Sequence, residues 1–444
     1  MVLHGTSGVN AADHLEIGGV DTVGLAKQFG TPLYVYDVAL VRQRAQQFLQ
    51  VFAEEGLQAQ VAYASKAFSS IAIIQLVDQL GLSLDVVSGG ELYTAIQAGF
   101  PPARIHFHGN NKSPAEMEYA IQVGVGCFVA DNFYEIAWLK RLSEQYQQSI
   151  NLLLRITPGV EAHTHEYIST GQEDSKFGFD LVSGQATAAI EQVLQSPYLQ
   201  LLGVHSHIGS QIFDPAGFIQ AIQKIYLHLE QWEGQFGRRF PVLNVGGGFG
   251  IRYVEGDRPI PVEQHVRAII NTIREETTKR GWPMPEIWIE PGRSLVGDAG
   301  TTLYTIGSMK HVPGMHRYVA VDGGMTDNIR PALYHAQYEG VLANRMRDPA
   351  EQAFAIAGKC CETGDMLIWD LPLPQPEHKD LLAVFCTGAY GYAMASNYNR
   401  LPRPAIVFVE NGEAQLVVER ESYADLIRHD RPYSPPKKNP IHQP

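Results

Sequence analysis

Eight short, β-rich apolar runs alternate with segments of helical pattern along the first two thirds of the chain. The segments GELYTAIQAGF and PAEMEYAIQVGV, which lie between runs, have the periodicity of amphipathic helices. Strands that alternate with helices predict a parallel sheet, and eight of them indicate a closed (β/α)8 barrel. An open doubly wound sheet is the alternative, but the glycine-rich fingerprint typical of it is missing. The runs are residues 60–67, 82–88, 104–109, 127–131, 151–156, 201–209, 242–248 and 286–293.

The pattern changes from about residue 299 onward, where strand-like runs have little helix between them. Asn411-Gly412, between two alternating apolar runs, is a strong hairpin signal. We interpret this region as an antiparallel β domain of the barrel or sandwich type. The run TPLYVYD at 31–37 is also strand-like and could pair into it. The sequence therefore predicts a barrel over residues 37–298 and a β domain built from residues 1–36 and 299–444.

Charge and composition exclude several classes of function. The formal net charge of −13 argues against a nucleic-acid partner, because binding a phosphate backbone needs a basic face. The N-terminal residues lack the basic start and apolar core of a signal peptide, and no run is long enough to span a bilayer. The cysteines form no CxxC pair and no His/Cys ligand cluster, which is typical of reduced thiols. We expect a soluble, cytoplasmic protein with no metal site and no membrane partner.

Polar or permissive residues follow nearly every run of the predicted barrel. In a barrel of this type, the carboxyl ends of the strands carry the active site, whereas the opposite ends serve stability. We therefore expect these residues to meet at one face. They are Lys66, Asp85 and Ser88, His108 and Asn110, Arg155, His205 and His207, Gly246 to Gly248, and Glu290 to Arg293.

Lys66 closes the first run, VAYASKAF, as its one basic residue. A lysine in such surroundings is expected to be partly desolvated, and desolvation favours the neutral amine that attacks carbonyl groups. The ordinary alternative is a lysine whose stem packs against apolar residues while its head reaches water.

The glycine run VGGGFG follows the seventh strand. It is neither a P-loop nor a GxGxxG motif, and it could simply be a tight turn. Barrels often bind phosphate in the loops after strands seven and eight, however, through a nest of backbone N–H groups. A lysine amine and a phosphate cup on one face indicate a phosphorylated aldehyde as cofactor, namely pyridoxal 5′-phosphate.

Two further residues fit this cofactor. A carboxylate such as Glu290 at the pyridine nitrogen would keep that nitrogen protonated, so that the ring can accept electrons. The flat imidazole of His207 could stack on the ring. Taken alone, Glu290 would more often form an ordinary loop salt bridge, and His207 would more often be a hydrogen-bonded core histidine.

Eight separated motifs follow one another along the chain: YASKAF, DVVSGGEL, HSHIGSQ, NVGGGFG, EPGR, DGGMTDNIRPALY, CCETGD and GAYGYAMASNYN. These motifs and their order resemble the barrel-type, alanine-racemase-like decarboxylases that depend on pyridoxal phosphate, and most closely their diaminopimelate decarboxylase branch. The resemblance covers roughly residues 31–404. It implies conversion of meso-2,6-diaminopimelate to L-lysine and CO2, the last step of lysine synthesis. It also implies homodimers in which each active site takes residues from the neighbour's β domain.

The resemblance also implies roles for individual residues. Lys66 would hold the cofactor covalently, and His207 and Cys361 would complete the catalytic set, with Cys361 as a proton donor from the neighbouring subunit. The expected cofactor-binding residues are Lys66, Asp85, Arg155, His207, Ser210, Gly247, Gly248, Glu290, Pro291, Gly292, Arg293 and Tyr390. The expected substrate-binding residues are Arg293, Arg330, Tyr334, Glu362, which would take the distal amino group, and Tyr390.

The chemistry of these residues agrees with the implied substrate. Planar guanidinium groups bind carboxylates bidentately, so Arg293 and Arg330 suit a substrate with a carboxylate at each end. Cys360 and Cys361 are two thiols where one is needed. We choose Cys361, directly before Glu362, and expect Cys360 to point the other way if the segment is extended.

Three alternatives stay open. A decarboxylase of ornithine, arginine or a related amino acid is expected to lack Arg330 and to have an aspartate in place of Glu362. An amino-acid racemase on the same barrel would need a second base on the opposite face of the cofactor ring. A catalytically inactive regulator would be free to lose Lys66 or Cys361, and this chain keeps both.

Overall fold

The computed structural model describes residues 3–160 and 175–434. The chain begins with a small antiparallel sheet, a helix and one long-range strand. Asp37, at the end of that strand, caps the next helix by accepting a hydrogen bond from the Leu40 backbone N–H at 3.1 Å. These elements are β1 (Gly8–Val9), β2 (Leu15–Ile17), β3 (Val20–Asp21), α1 (Thr22–Phe29), β4 (Leu33–Asp37) and α2 (Val38–Glu54).

Eight parallel strands then form a closed barrel. β5 pairs with β6 and β13, and the circle closes through β8 and β9, while β10 pairs with β9 as an added strand. The elements are β5 (Ala59–Ala64), α3 (Ile71–Gln79), β6 (Ser83–Val86), α4 (Gly89–Gln97), β7 (Ile105–Phe107), α5 (Pro114–Val123), β8 (Cys127–Ala130), α6 (Phe133–Tyr146), β9 (Ile150–Thr157), β10 (Phe179–Asp180), α7 (Gln185–Leu194), β11 (Leu199–His205), α8 (Ala216–Phe236), β12 (Val242–Asn244), α9 (Val262–Arg280), β13 (Glu286–Ile289) and α10 (Arg293–Val296).

The predicted barrel is confirmed, and each of the eight apolar runs overlaps one of its strands. Most residues of these strands are buried, which explains why they are continuous apolar runs without alternation. Short polar side chains set the starts of the outer helices: Ser70, Ser88, Ser113 and Asn132 each accept a hydrogen bond from the backbone N–H three residues on.

A second sheet follows the barrel. Its strand order is β18-β17-β15-β14-β4-β20-β21, and β19 pairs with β14 and β16. The elements are β14 (Gly300–His311), β15 (Arg317–Val321), α11 (Arg330–Tyr334), β16 (Gly340–Leu342), β17 (Gln352–Ala357), β18 (Met366–Leu373), β19 (Leu381–Val384), β20 (Ala405–Glu410), β21 (Glu413–Val418) and α12 (Tyr423–Ile427).

The second sheet is mixed, whereas the sequence predicted an antiparallel one. Most pairings are antiparallel, but β20 pairs with β4 in parallel, and β15 pairs with β17 in parallel. The hairpin expected at Asn411-Gly412 joins β20 to β21, with φ values of +53° and +83° at the two turn residues. The strand-like run near the N-terminus lies in this sheet as β4, between β14 and β20.

Candidate active site

A cavity of about 1410 Å3 lies at the carboxyl ends of the barrel strands, with walls from the barrel and from the second sheet region. Most of the residues singled out from the sequence line it. These are Lys66, Asp85, Arg155, His207, Ser210, Gly248, Glu290, Gly292, Arg293, Arg330, Tyr334 and Tyr390. His108, Asn110 and His205, which were also expected at strand ends, line the same cavity.

Lys66 lies in a single helical turn, Ser65–Ala67, directly after β5. Two contacts fix this turn: the Ser65 hydroxyl donates to Glu91 Oε2 at 3.0 Å, and the Tyr390 backbone N–H donates to the Ala67 carbonyl at 2.8 Å. The Lys66 side chain is exposed, so the prediction that apolar neighbours partly desolvate it is wrong for the chain as described. The reason is that the residue stands at the wall of a wide cavity and not within the packed end of the strand.

Glu290 lies at the centre of a buried polar network. Its Oε1 accepts a hydrogen bond from Asn244 Nδ2 at 2.6 Å, and its Oε2 lies 3.1 Å from His205 Nε2. His108 Nε2 lies 2.9 Å from Oε1. Asn244 Oδ1 in turn accepts from the Gly246 backbone N–H at 2.9 Å, which fixes the amide so that its NH2 faces Glu290. The carboxylate is thereby held in one orientation.

This network determines the charge of Glu290. Burial alone would raise the pKa of the carboxyl group, but His108 and His205 outweigh burial and hold the pKa well below its ordinary value. Burial lowers the pKa of His205, so that imidazole is a neutral N–H donor. Glu290 is therefore an ionised acceptor at the wall of the cavity.

The same three side chains bring ligand atoms within 4.8 Å of one another, as a metal site would. The Asn244 NH2 group, however, points at the same carboxylate oxygen that His108 approaches. An amide donor at that position opposes a cation, so we interpret the cluster as a hydrogen-bond network.

Asp85 is a second buried carboxyl group at the cavity. Its Oδ1 lies 3.8 Å from His108 Nε2 and has no hydrogen-bond partner among the described residues. Burial raises its pKa to about 6, against the opposing influence of His108 and Lys66. An unpaired buried acceptor beside the candidate lysine indicates a place where a ligand completes the polar contacts.

The glycine run forms a close-packed loop after β12. A Cβ atom on Gly247 would lie 1.9 Å from the Glu290 carbonyl oxygen, and one on Gly248, with φ at +102°, would lie 2.2 Å from the Gly209 carbonyl oxygen. Only glycine fits both positions. Gly247 does not line the cavity itself, but its backbone N–H donates to His207 Nδ1 at 3.2 Å. Pro291 also lies behind the wall, where its carbonyl accepts from the Ala64 backbone N–H.

His207 lies between this loop and the lysine. Burial lowers the pKa of its imidazole well below the ordinary value, and the charge of Lys66 lowers it further. His207 is therefore neutral, as a ring that stacks on a flat, electron-poor ligand should be.

Three arginines also line the cavity, and they differ in whether a carboxylate lies near the guanidinium group. Arg155 lies 3.7 Å from Asp131 Oδ1, and its guanidinium carbon lies 4.3 Å from the centre of the Phe177 ring. Arg293 and Arg330, by contrast, have no carboxylate within 4.0 Å among the residues that the structure describes, although both are buried. Two buried cations without a counterion indicate an anionic ligand.

Cys361 and Glu362 do not line the cavity of their own chain, and both are exposed. The segment that carries them is a bend between β17 and β18 and not an extended strand, so the condition under which Cys360 was expected to point away from Cys361 is not met. The Cys360 backbone N–H donates to Asp365 and that of Cys361 to Asn399, which fixes the bend. Burial, together with Asp365, raises the pKa of the Cys360 thiol to about 12.

Two residues at the site were not identified from the sequence. Asn244, directly before the glycine run, holds Glu290, and Tyr253, soon after the run, contacts both Arg293 and Arg330. The position of Asn244 at a strand end was an available signal. Nothing local distinguishes Tyr253, because its partners come from distant parts of the chain.

The residues present fit pyridoxal phosphate. An exposed lysine amine, an ionised carboxylate fixed by its neighbours, a neutral imidazole and a loop where a Cβ would collide with backbone all border one cavity. Within the described ranges, no helix combines the length and the hydropathy that crossing a bilayer requires.

Comparisons with known proteins agree with this geometry. Residues 38–297 match the family described as "Pyridoxal-dependent decarboxylase, pyridoxal binding domain". The chain is 66% identical to the diaminopimelate decarboxylase of Halalkalibacterium halodurans, over 97% of this chain and 98% of that one. It is 65% identical to the diaminopimelate decarboxylase of Bacillus subtilis, over 98% and 99% of the two chains.

A solved structure is similar over nearly the whole length. The crystal structure of diaminopimelate decarboxylase from M. jannaschii in co-complex with L-lysine superposes with a TM-score of 0.89 at 36% identity, covering 97% of this chain and 98% of that one. The chain belongs to the pyridoxal-dependent decarboxylases, and within them to the diaminopimelate decarboxylase family.

Proposed function

We propose that the protein removes CO2 from meso-2,6-diaminopimelate to give L-lysine, with pyridoxal phosphate as its cofactor. The observation that carries this substrate is the pair of buried arginines, Arg293 and Arg330, at the cavity that also holds Lys66. A substrate with a carboxylate at each end keeps one of them after the reaction, and that carboxylate needs cationic donors. Near-complete alignment with diaminopimelate decarboxylases at 65–66% identity supports the same substrate.

The residues divide the work as follows. Pyridoxal phosphate, when bound, supplies an electron sink for the bond that breaks at the substrate α-carbon. Lys66 would hold the cofactor covalently, Glu290 would keep a proton at its pyridine nitrogen, and His207 would lie against its ring. The other cofactor contacts that we propose are Asp85, Arg155, Ser210, Gly247, Gly248, the Pro291–Arg293 segment and Tyr390.

The proposed substrate-binding residues come from the end of the barrel and from the second domain. Arg293, Arg330 and Tyr334 bind the retained carboxylate end, and Tyr390 contacts both substrate and cofactor. Glu362 takes the distal amino group, and the Cys361 thiol donates a proton to the α-carbon after CO2 has left.

We further propose that the active form is a homodimer with shared sites. The support is that Cys361 and Glu362 are exposed and outside the cavity of their own chain, so a second copy has to supply them. In this arrangement residues 37–298 form the cofactor-binding barrel, and residues 1–36 and 299–444 form the domain that completes the neighbour's site. Unpaired thiols at all four cysteines support a cytoplasmic location.

The substrate is tested by incubating the purified protein and pyridoxal phosphate with meso-diaminopimelate, ornithine or arginine in parallel. Lysine and CO2 are expected from the first compound alone. The Arg330→Ala variant is the matched control, because it keeps the lysine and the cofactor contacts but loses one of the two cations. Faster CO2 release from ornithine or arginine than from meso-diaminopimelate would assign the protein to the alternative decarboxylases.

A further inference from the structure

Arg293 and Arg330 reach the same place from two elements. Arg293 begins α10, directly after the eighth barrel strand, and Arg330 begins α11 in the second domain. Their exposed fractions are 6% and 8%. Arg293 Nη2 donates to the Ser210 hydroxyl at 2.9 Å, whereas its Nε is buried without a hydrogen-bond partner among the described residues. The pair is therefore incompletely satisfied inside the chain.

Tyr253 connects the two guanidinium groups. Its hydroxyl oxygen accepts a hydrogen bond from Arg293 Nη1 at 2.5 Å and another from Arg330 Nη1 at 3.1 Å. The loop that carries Tyr253 is fixed by Asp257, whose Oδ2 accepts from the backbone N–H groups of Tyr253 and Val254 at 2.8 and 3.1 Å. The position of the hydroxyl is thus set by the loop as well as by the arginines.

The two hydrogen bonds from the arginines determine the direction in which the Tyr253 hydroxyl can donate its proton. A guanidinium group only donates, and a phenol oxygen can accept two hydrogen bonds and donate one. Because both arginines use the accepting capacity of the oxygen, its proton has to be donated away from them. Tyr253 lines the cavity, so that direction includes the space where a ligand would lie.

We propose that Tyr253 is a substrate-binding residue whose hydroxyl donates a hydrogen bond to the carboxylate that the product retains, beside Arg293 and Arg330. This inference rests on the proposed function and deepens it. Three donors would then surround one carboxylate. A ligand without that carboxylate would leave the three donors unpaired, and unpaired buried donors are strongly disfavoured. Tyr253 would therefore add to discrimination against amino acids that end in an amine alone.

The test compares two probes that differ by this one carboxylate, L-lysine and cadaverine, on the enzyme loaded with pyridoxal phosphate. Calorimetric titration gives the dissociation constant of each. In Tyr253→Phe, the ratio of lysine affinity to cadaverine affinity is expected to fall by about tenfold or more, as for a lost hydrogen bond to a charged group. The KM for meso-diaminopimelate should rise by a similar factor, with a smaller change in kcat.

Tyr338→Phe is the matched control. The Tyr338 hydroxyl also accepts from Arg330, at 2.6 Å, but Tyr338 is 4% exposed and is not part of the cavity wall. The Tyr338→Phe variant should keep the ratio of lysine affinity to cadaverine affinity within about twofold of the wild-type ratio. An unchanged ratio in Tyr253→Phe, an equal loss for both probes, or an equal effect of Tyr338→Phe would overturn the assignment. Failure of the proposed function is separate, because it would appear as absent CO2 release from meso-diaminopimelate in the unmodified enzyme.

Discussion

Cys360 and Cys361 are adjacent thiols in different surroundings. Cys361 is exposed, whereas Cys360 is partly buried next to Asp365, and burial with that carboxylate raises the pKa of Cys360 to about 12. A proton donor has to reach the substrate and to exchange its proton with water between turnovers. The exposed Cys361 thiol can exchange its proton with water, and in the homodimer that we propose it would reach the neighbour's substrate, whereas Cys360 is held beside Asp365.

We therefore expect Cys361→Ala to lower kcat by about 10²–10⁴-fold, the usual contribution of a positioned acid, while cofactor binding stays unchanged. Steady-state kinetics and the cofactor absorbance of the purified variant measure the two effects. Cys360→Ala, as the control, should keep near-normal turnover. The reverse behaviour of the two variants would mean that the proton donor is Cys360.

The location of a site residue could be predicted where it depended on the position of that residue along a strand. Lys66, Asp85, Arg155, His207 and Glu290 were expected at strand ends, and they meet at one cavity because parallel strands end at the same face. The exposure of Lys66 could not be predicted, because it depends on the width of the cavity. The bridge made by Tyr253 could not be predicted either, since it joins three separate segments of the chain.

At the scale of elements, the loop after β12 is the most constrained part of the site. Gly247 approaches the Glu290 carbonyl so closely that any side chain would displace backbone, and its N–H holds His207. The loop thus links the carboxylate segment after β13 to the imidazole after β11. Movement of one of these groups would move the other.

Gly247→Ala is expected to lower the free energy of unfolding by about 1–3 kcal/mol, as overpacking does, and to weaken pyridoxal phosphate binding. Urea unfolding and fluorescence titration with the cofactor measure these changes. Gly256→Ala lies on the same connection but has no atom within 4 Å of the added Cβ, so it serves as control. Unaltered cofactor affinity in Gly247→Ala would show that the loop does not position the cofactor contacts.

Element types were predicted well and element partners less well. The eight barrel strands and the Asn411-Gly412 hairpin follow from local pattern, because hydrophobic period and turn chemistry are local properties. The parallel pairing of β4 with β20 joins opposite ends of the chain. No local pattern shows in which direction a distant partner strand runs, and the expected all-antiparallel sheet was wrong for that reason.

At the scale of the whole molecule, the shared active sites that we propose lead to a quantitative prediction for mixed dimers. Lys66→Ala and Cys361→Ala should each be nearly inactive alone. When the two variants are unfolded and refolded together, about half of the dimers are mixed, and each mixed dimer has one complete site, so about a quarter of wild-type activity should return. The measurement is CO2 release before and after mixing. No recovery, in samples shown to contain mixed dimers, would place Cys361 and Lys66 in sites of the same chain.

Acid stability of the molecule should depend on its buried histidines. Burial lowers the pKa of His106 to about 3 and that of His265 to about 4, and it also lowers the pKa values of His205 and His207. Below pH 6.5 the unfolded chain therefore binds more protons than the folded one, and stability falls as the pH decreases. Buried carboxyl groups with raised pKa values act in the opposite sense and offset part of this loss. Asp85 has a pKa of about 6 and Asp327 one of about 7, and burial also raises the pKa values of Glu91, Asp131 and Asp322.

His265 offers the cleanest test, because its ring packs against Phe218 and Phe249 and neither of its nitrogens has a hydrogen-bond partner among the described residues. The loss of unfolding free energy between pH 7 and pH 5 should be about 2 kcal/mol smaller in His265→Phe than in the wild type. Urea unfolding at fixed protein concentration and saturating cofactor measures it. His429→Gln changes an exposed histidine and should keep the wild-type pH dependence. An identical pH dependence for His265→Phe would mean that His265 is protonated in the folded enzyme.

The position of β4 has a consequence for how the chain is made. All five of its residues are buried, yet both strands that flank it, β14 and β20, are encoded after the whole barrel. A nascent chain that has completed the barrel therefore still carries β4 with both edges unpaired, open to strands of other nascent chains until β14 and then β20 have been synthesised.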